Sequence, residues 1–393
     1  MLQLFEKQHG FRRDSVSLEN WRNRPFNTWA FRNIHEFIPT AEVPATDNGV
    51  EEPKVDETWL TSQEIPIGDR RISISAVLQE TYADTLVVMK KGVVVAEFHA
   101  PGFTTRSRHI LFSSSKSVTG MLAGILAGEG TLDPDEPIAR HVPELATSAF
   151  GDAKVRHALD MRTSLVFNED YSDPRGDFAR YRRAGLLDPA LDGEPVETVI
   201  SFLASLKKAQ RDHGGPFFYC SPNSDALGLV VERASGLRFA DLLSQKLWQP
   251  LGARSNALVT VDREGTARAG GGLFVTARDF ARLGELVRRE GEVEGRRIIP
   301  SEWVRDTVNG GSRDAWTTGN FADWLPSGSY RNQWYQTGNE DGAFFALGIH
   351  GQWLFVNPRS EVVIVKFSSQ PDPVDDRLKS LNMALFSAIS SIV

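Results

Sequence analysis

The 393-residue chain carries 44 basic and 51 acidic side chains, a net charge of −7, with 41% hydrophobic residues, 9 Trp and 23 Phe. So much apolar material in so long a chain builds a full core, which excludes a disordered, collagenous or small disulfide-stapled protein. The mild acidity leaves no electrostatic footprint for nucleic acid, and the single cysteine, Cys220, excludes an intrachain disulfide and a cysteine-based zinc site. No stretch reaches 18 apolar residues, and Met1 to Ser15 lack an apolar core followed by a small-residue cleavage site. The expectation is a globular cytoplasmic protein without a membrane span or secretory signal.

Residues 1–60 read as an irregular arm whose aromatics, Trp21, Trp29 and Phe31, hold it against the body. A polar acidic run follows from Thr46 to Glu57, with a surface turn at Asp47-Asn48-Gly49. The runs Thr85 to Met89 and Val93 to Phe98 are β-branched and separated by Lys90-Lys91-Gly92, the pattern of a hairpin. Ser117 to Gly128 is small and apolar and reads as a central buried helix, in which Gly120 and Gly124 imply close packing. Apolar residues then recur at helical spacing over Val155 to Arg162, Pro195 to Gln210, Ser224 to Ser235, Arg238 to Trp248 and Ala277 to Arg289. Strand signals return at Phe344 to Ile349, Trp353 to Val356 and Val362 to Phe367, and Asp376 to Ile392 reads as a closing helix. Strands at both ends with helices between them predict an α/β domain from residues 61–130 and 255–393 and a mostly helical insertion over 131–254.

There is no Gly-x-Ser-x-Gly elbow and no phosphate-binding loop, and Gly270-Gly271-Gly272 lacks the spacing of a dinucleotide site. The eight histidines have no metal-ligand spacing, so neither metal nor cofactor is expected. The candidate nucleophile is Ser113 in Ser113-Ser114-Ser115-Lys116, with hydroxyl and amine at i and i+3 on one face of a first helical turn. A serine needs an adjacent base. Lysine can serve if burial and the positive end of a helix bring its pKa down by about 3 from roughly 10.4. A second match, Ser205 to Lys208, runs into a polar helix end and reads as solvated surface. Tyr219, in Phe217-Phe218-Tyr219-Cys220-Ser221, is placed to relay a proton if it shares hydrogen bonds with Lys116. The small residues Gly348 and Gly351 leave room on a strand edge for a substrate's backbone, or else mark a bulge.

In order and spacing these segments resemble the serine β-lactamase/penicillin-binding superfamily on its class C and esterase side. Gly128-Glu129-Gly130-Thr131-Leu132-Asp133-Pro134-Asp135 with Pro137-Ile138, and Leu159-Asp160-Met161-Arg162-Thr163-Ser164, agree with it. The chain is similar over nearly its whole length to 6-aminohexanoate-dimer hydrolases and related carboxylesterases, through Asn27 to Phe31, Phe167 to Pro174, Tyr219 to Ser221 and Gly348 to Gln352. The resemblance implies a central antiparallel sheet flanked by helices, with a mostly helical inserted domain. It implies Ser113 as nucleophile, Lys116 as its base partner and Tyr219 as a second acid/base. It further implies the backbone N–H groups of Ser113 and Ile349 as an oxyanion hole, and Tyr171, Ser221, Gly348 and His350 as substrate contacts.

Two segments depart from the pattern. The late-strand Lys-Thr-Gly becomes Ala346-Leu347-Gly348, without the lysine that binds a β-lactam's carboxylate. The loop after Tyr171, where the dimer hydrolases carry a carboxylate for the substrate's amine, is basic over Arg180 to Arg183, with Asp177 the nearest acid. The expectation is a serine hydrolase acting on a small-molecule ester, less readily an amide, with no nucleic acid or membrane partner and a homodimer as an admissible state. The rival readings are a β-lactamase or D-alanyl carboxypeptidase, a linear-amide hydrolase, and a non-catalytic binding protein on the same fold.

Overall fold

The β-branched runs at the two ends of the chain meet in one sheet. In the computed structural model, which describes residues 4–46, 52, 55–56, 58–68 and 70–393, seven antiparallel strands lie in the order Ser329–Arg331, Trp334–Gln336, Phe344–Gly348, Gln352–Asn357, Val362–Ser368, Ala83–Lys90 and Val93–His99. The surface turn expected at Asp47-Asn48-Gly49 lies outside the described residues. The central strands are buried on both faces, so they read as continuous apolar runs. Their alternation still sorts two cores. Leu354, Val356 and Val363 pack around Gly284 of the helix Ala277–Arg288, whereas Trp353 and Phe355 meet Phe386 of the closing helix Asp376–Ile392.

A second antiparallel sheet pairs Thr40–Val43, Ala257–Thr260, Leu273–Thr276 and Arg108–Ile110 in that order. Between the two ends of the chain the structure is mostly short helices. The expected helix over Pro195 to Gln210 shrinks to Val199–Ser205. Thr198 caps its start, accepting the Ser201 N–H, and beyond its end Lys208 forms a β-bridge with Leu165 that draws the chain out straight. The helix Pro222–Ser235 begins two residues earlier than its apolar spacing suggests, with proline in its first turn. No described helix is long and apolar enough to cross a membrane.

The helix Ser115–Gly128 runs through the middle, buried from Ser115 to Leu126. A Cβ at Gly120 would stand 2.1 Å from the Asn332 carbonyl oxygen, and one at Gly124 2.4 Å from the Trp303 ring. These contacts explain two glycines in a helix interior, where each costs about 1 kcal/mol relative to alanine. Gly120→Ala is therefore expected to lose more by clashing with backbone than it gains in helix propensity. A net loss of about 1–3 kcal/mol should appear as a lower urea midpoint; an unchanged or raised midpoint would show that this contact can open freely.

Candidate active site

Ser113 sits in a tight turn, Phe112–Ser114, that leads directly into the central helix. Phe112 has φ +45°, a left-handed conformation that costs a non-glycine residue energy unless its surroundings hold it. Here they do: its ring stacks on Trp21 at 6.0 Å and meets Phe31 edge-on at 5.0 Å. The amino-terminal arm thus packs on the residue next to the candidate nucleophile.

Lys116, one helical turn on, is 2% exposed. Its Nζ lies 3.1 Å from Ser113 Oγ and 2.6 Å from the carbonyl oxygen of Gly270. Burial pushes its pKa down to about 8, against the opposing pull of Glu169 and Asp225. Tyr219 completes the group, with Lys116 Nζ 5.3 Å from its ring centroid. Its ring stacks on Phe321 at 5.2 Å, and Asn320 accepts its backbone N–H. Burial raises the Tyr219 phenol well above its ordinary range, reinforced by Glu169 and opposed by the hydroxyls of Ser113 and Ser221. Cys220, beside it, is buried and its thiol is likewise pushed up by burial, so it stays a packing residue.

Several groups here carry no motif. Glu169 is half-buried: its carboxylate accepts the Ser221 N–H at 2.6 Å, the Ser221 hydroxyl at 2.7 Å and the Tyr171 hydroxyl at 2.9 Å. Burial raises its pKa, and Lys116 and the Ser221 bonds oppose the rise. Asp225 takes the Gly270 N–H at 2.7 Å, the Tyr181 hydroxyl at 2.6 Å and an ion pair with Arg268 at 3.0 Å. That buried cluster fixes the Gly270 peptide, whose carbonyl aims the lysine. The glycine run at 270–272, which spacing sets aside as a nucleotide motif, is a wall of this site. At Gly272 a Cβ would stand 2.2 Å from Thr260 Oγ1.

The other expected residues gather around the serine. Among the described residues, neither Ser113 nor Ile349 has an acceptor for its backbone N–H. Gly348 lines the smaller cavity and has a further reason besides the expected one. A Cβ there would meet the Leu111 carbonyl oxygen at 2.2 Å and the Ser113 N at 3.2 Å, so the glycine makes room for the serine's own turn. Only Phe344 and Phe345 of this strand pair with the strand Trp334–Gln336, which leaves Ala346 to Gly348 unpaired on that side. His350 is buried, with Nδ1 2.8 Å from the Gln370 carbonyl, and burial lowers its pKa to about 4; it stays neutral. Ser205 hydrogen-bonds back to Phe202, and Lys208 pairs with Asp152, far from this group.

Two cavities meet at Ser113, both touching Tyr171, Ile349 and Pro373. One, about 180 Å³, is lined by Tyr219, Glu169, Phe321, Trp324, Tyr335 and Trp353. The other, about 270 Å³, is lined by Ser221, Gly270, His350, Arg22, Arg182 and Arg268. The expected basic loop is a helix, Asp177–Ala184, and its arginines part company. Arg180 pairs with Glu197 and Arg183 with Glu194, while Arg182 lines the larger cavity. Asp177 lines neither cavity and accepts the Asn168 N–H at 3.0 Å.

The arrangement recurs in known proteins. The Beta-lactamase family profile matches residues 76–388. A 6-aminohexanoate-dimer hydrolase from Paenarthrobacter ureafaciens is 40% identical over 358 residues, 91% of this chain and 89% of its own length. A Bacillus anthracis protein assigned as a 6-aminohexanoate-dimer hydrolase superposes with a TM-score of 0.88 at 25% identity, covering 96% of this chain and 97% of its own. A family VIII carboxylesterase shares the fold with a TM-score of 0.60 at 14% identity, over 86% of this chain and all of its own. With a serine and a buried lysine in contact at the head of the central helix, the chain belongs to the β-lactamase family and is an enzyme of the hydrolase type.

Proposed function

We propose that the protein hydrolyses carboxylic esters, and amides less readily, through an acyl-enzyme on Ser113. The contact between the Ser113 hydroxyl and a buried Lys116 whose pKa is lowered to about 8 carries this reading. Roughly a tenth of such amines are neutral at pH 7, and a neutral amine 3.1 Å away can take the serine's proton as Oγ adds to the carbonyl carbon. The tetrahedral oxyanion is held by the N–H groups of Ser113 and Ile349. The raised Tyr219 phenol keeps its proton at neutral pH, which suits it to donate to the departing oxygen and be reprotonated from the Lys116 ammonium. The alcohol then leaves and the acyl group stays on Oγ. Water adds to the ester carbon as its proton passes to the pair, and the pair hands that proton to Oγ as Oγ departs, releasing the acid and restoring the serine. Proton positions in the pair are coupled.

A second reading, cleavage of a linear amide, is favoured by the 40% identity to a 6-aminohexanoate-dimer hydrolase. Arg182 weighs against it, because it puts a cation in the larger cavity where a substrate amine would be repelled. A β-lactam is disfavoured by Ala346, which is buried and offers no cation on the late strand.

Purified protein should be labelled by a fluorophosphonate and should turn over p-nitrophenyl butyrate with a kcat/KM several orders of magnitude above that for nitrocefin. No labelling would sink the hydrolytic reading. Comparable values for the two substrates would sink the preference for esters.

A further inference from the structure

Resting on the esterase reading, we infer that the preferred substrate carries a carboxylate on its acyl half, as in a half-ester of a linear dicarboxylic acid. The Arg22 and Arg182 side chains at the end of the larger cavity bind that carboxylate.

The two cavities at Ser113 differ in chemistry. The smaller one holds Tyr219 and is walled by aromatic rings, the Glu169 and Asp375 carboxylates, and Lys379, which is paired with Asp376 at 2.5 Å. A leaving group must lie beside the residue that protonates it, so the alcohol half belongs on this side, where a further negative charge would face Glu169. The acyl half then runs into the larger cavity, between Ser221 and Gly270 on its way to the arginines.

The charge count there is unequal. Arg268 is neutralised by Asp225 at 3.0 Å. Arg22 and Arg182, by contrast, share one carboxylate, Asp188: Arg182 Nε lies 2.7 Å from one oxygen, and Arg22 binds the other. Arg22 also donates to the Leu187 carbonyl at 3.0 Å. Among the described residues, neither Nη group of Arg182 has a protein acceptor, and its guanidinium lies over the Phe178 ring, 5.0 Å from the centroid. These side chains are only 13–20% exposed, so their fields are weakly screened. Among the described residues, the only acid on the cavity wall is Asp372, at its exposed rim. Arg22, Arg182 and Asp188 together carry one positive charge, with a planar fork of donors free, and this is the geometry that takes a carboxylate in two parallel hydrogen bonds. At about 270 Å³ the cavity is at the small end for a ligand site, which suits a short straight acyl chain.

The test compares kcat/KM for the mono-p-nitrophenyl esters of adipate and suberate with p-nitrophenyl hexanoate and octanoate. The expected ratio of acidic to neutral ester, at matched chain length, is well above one and falls about tenfold or more in Arg182→Gln. Arg182→Lys should keep part of it. Asp188→Asn, which removes the shared acid, should raise it. A ratio at or below one in the unmodified protein would overturn the proposal, as would a ratio unmoved by Arg182→Gln and Asp188→Asn. A general structural role would lower both members of each pair together and leave the ratio intact, and that outcome overturns it equally. Comparing 4-acetoxybenzoate with phenyl acetate tests the other half: an advantage there that Arg182→Gln removes would put the carboxylate on the leaving group and overturn the acyl assignment. If the neutral esters are not cleaved, or are cleaved equally by Ser113→Ala, it is the esterase reading that fails.

Discussion

Ser113→Ala is expected to lower ester hydrolysis by about four orders of magnitude or more while leaving the fold in place. The side chain removed is one hydroxyl, which accepts a hydrogen bond from Lys116 and lies against the Tyr219 phenol. The turn is held by other means: the Ser114 N–H bonds to the Leu111 carbonyl, the Ser115 hydroxyl accepts the Leu273 N–H, and the Phe112 ring is clamped by Trp21 and Phe31. Thermal unfolding should therefore change little. Intact-protein mass spectrometry after a fluorophosphonate should show one adduct, mapped by peptide to Ser113. An adduct on Ser114, Ser115 or Ser205 would dismantle the assignment, as would undiminished turnover by the alanine variant.

Lys116→Ala and Tyr219→Phe are each expected to cost at least about 10²–10⁴ in kcat/KM, and the double variant far less than the product of the two. Both act on one proton path, so removing either breaks it. The sign of the pH dependence follows from the lysine. Its neutral form is the acceptor, and burial sets its pKa near 8; kcat/KM should climb as pH rises and level off above about 8. Tyr219→Phe leaves the lysine in place and should keep an alkaline-rising limb in what activity remains, whereas Lys116→Ala should remove it. Multiplicative losses, or a profile flat from pH 6 to 9, would mean that Lys116 is not the group that accepts the proton.

Ser113 and Lys116 were legible because their relation is local: i and i+3 on a first helical turn touch whatever the rest of the chain does. The late strands were legible because runs buried on both faces have little polar character to confuse them. Glu169 was not. It lies between Asn168 and Asp170 in a stretch without a catalytic motif, and it joins the site because Ser221, from elsewhere in the fold, and Tyr171, two residues on, turn their donors onto it. Arg182 shows the same limit. Three arginines in four residues look alike in sequence, and what separates them is which acid each one meets: Glu197, Asp188 or Glu194. The glycines at 270–272 escaped for a related reason, since their use depends on Asp225 and Thr260 lying opposite them. The resemblance supplied the residues around Tyr219; the wall that faces the acyl half shows itself only in the folded chain.

That wall draws on a part of the chain remote from the chemistry. Trp21, Arg22 and Asn23 belong to the amino-terminal arm, yet they line the same cavity as Ser113, and Trp21 Nε1 and Arg22 both bond to the Leu187 carbonyl across it. On the proposed reading, part of substrate choice is therefore encoded apart from the residues of proton transfer. Exchange at Arg22 alone would alter that wall while sparing Trp21, whose ring clamps Phe112 beside the serine. The same separation gives a protein engineer one position in the arm, Arg22, for retargeting the enzyme, and it warns that an affinity tag fused close to this arm would be felt at the substrate's door.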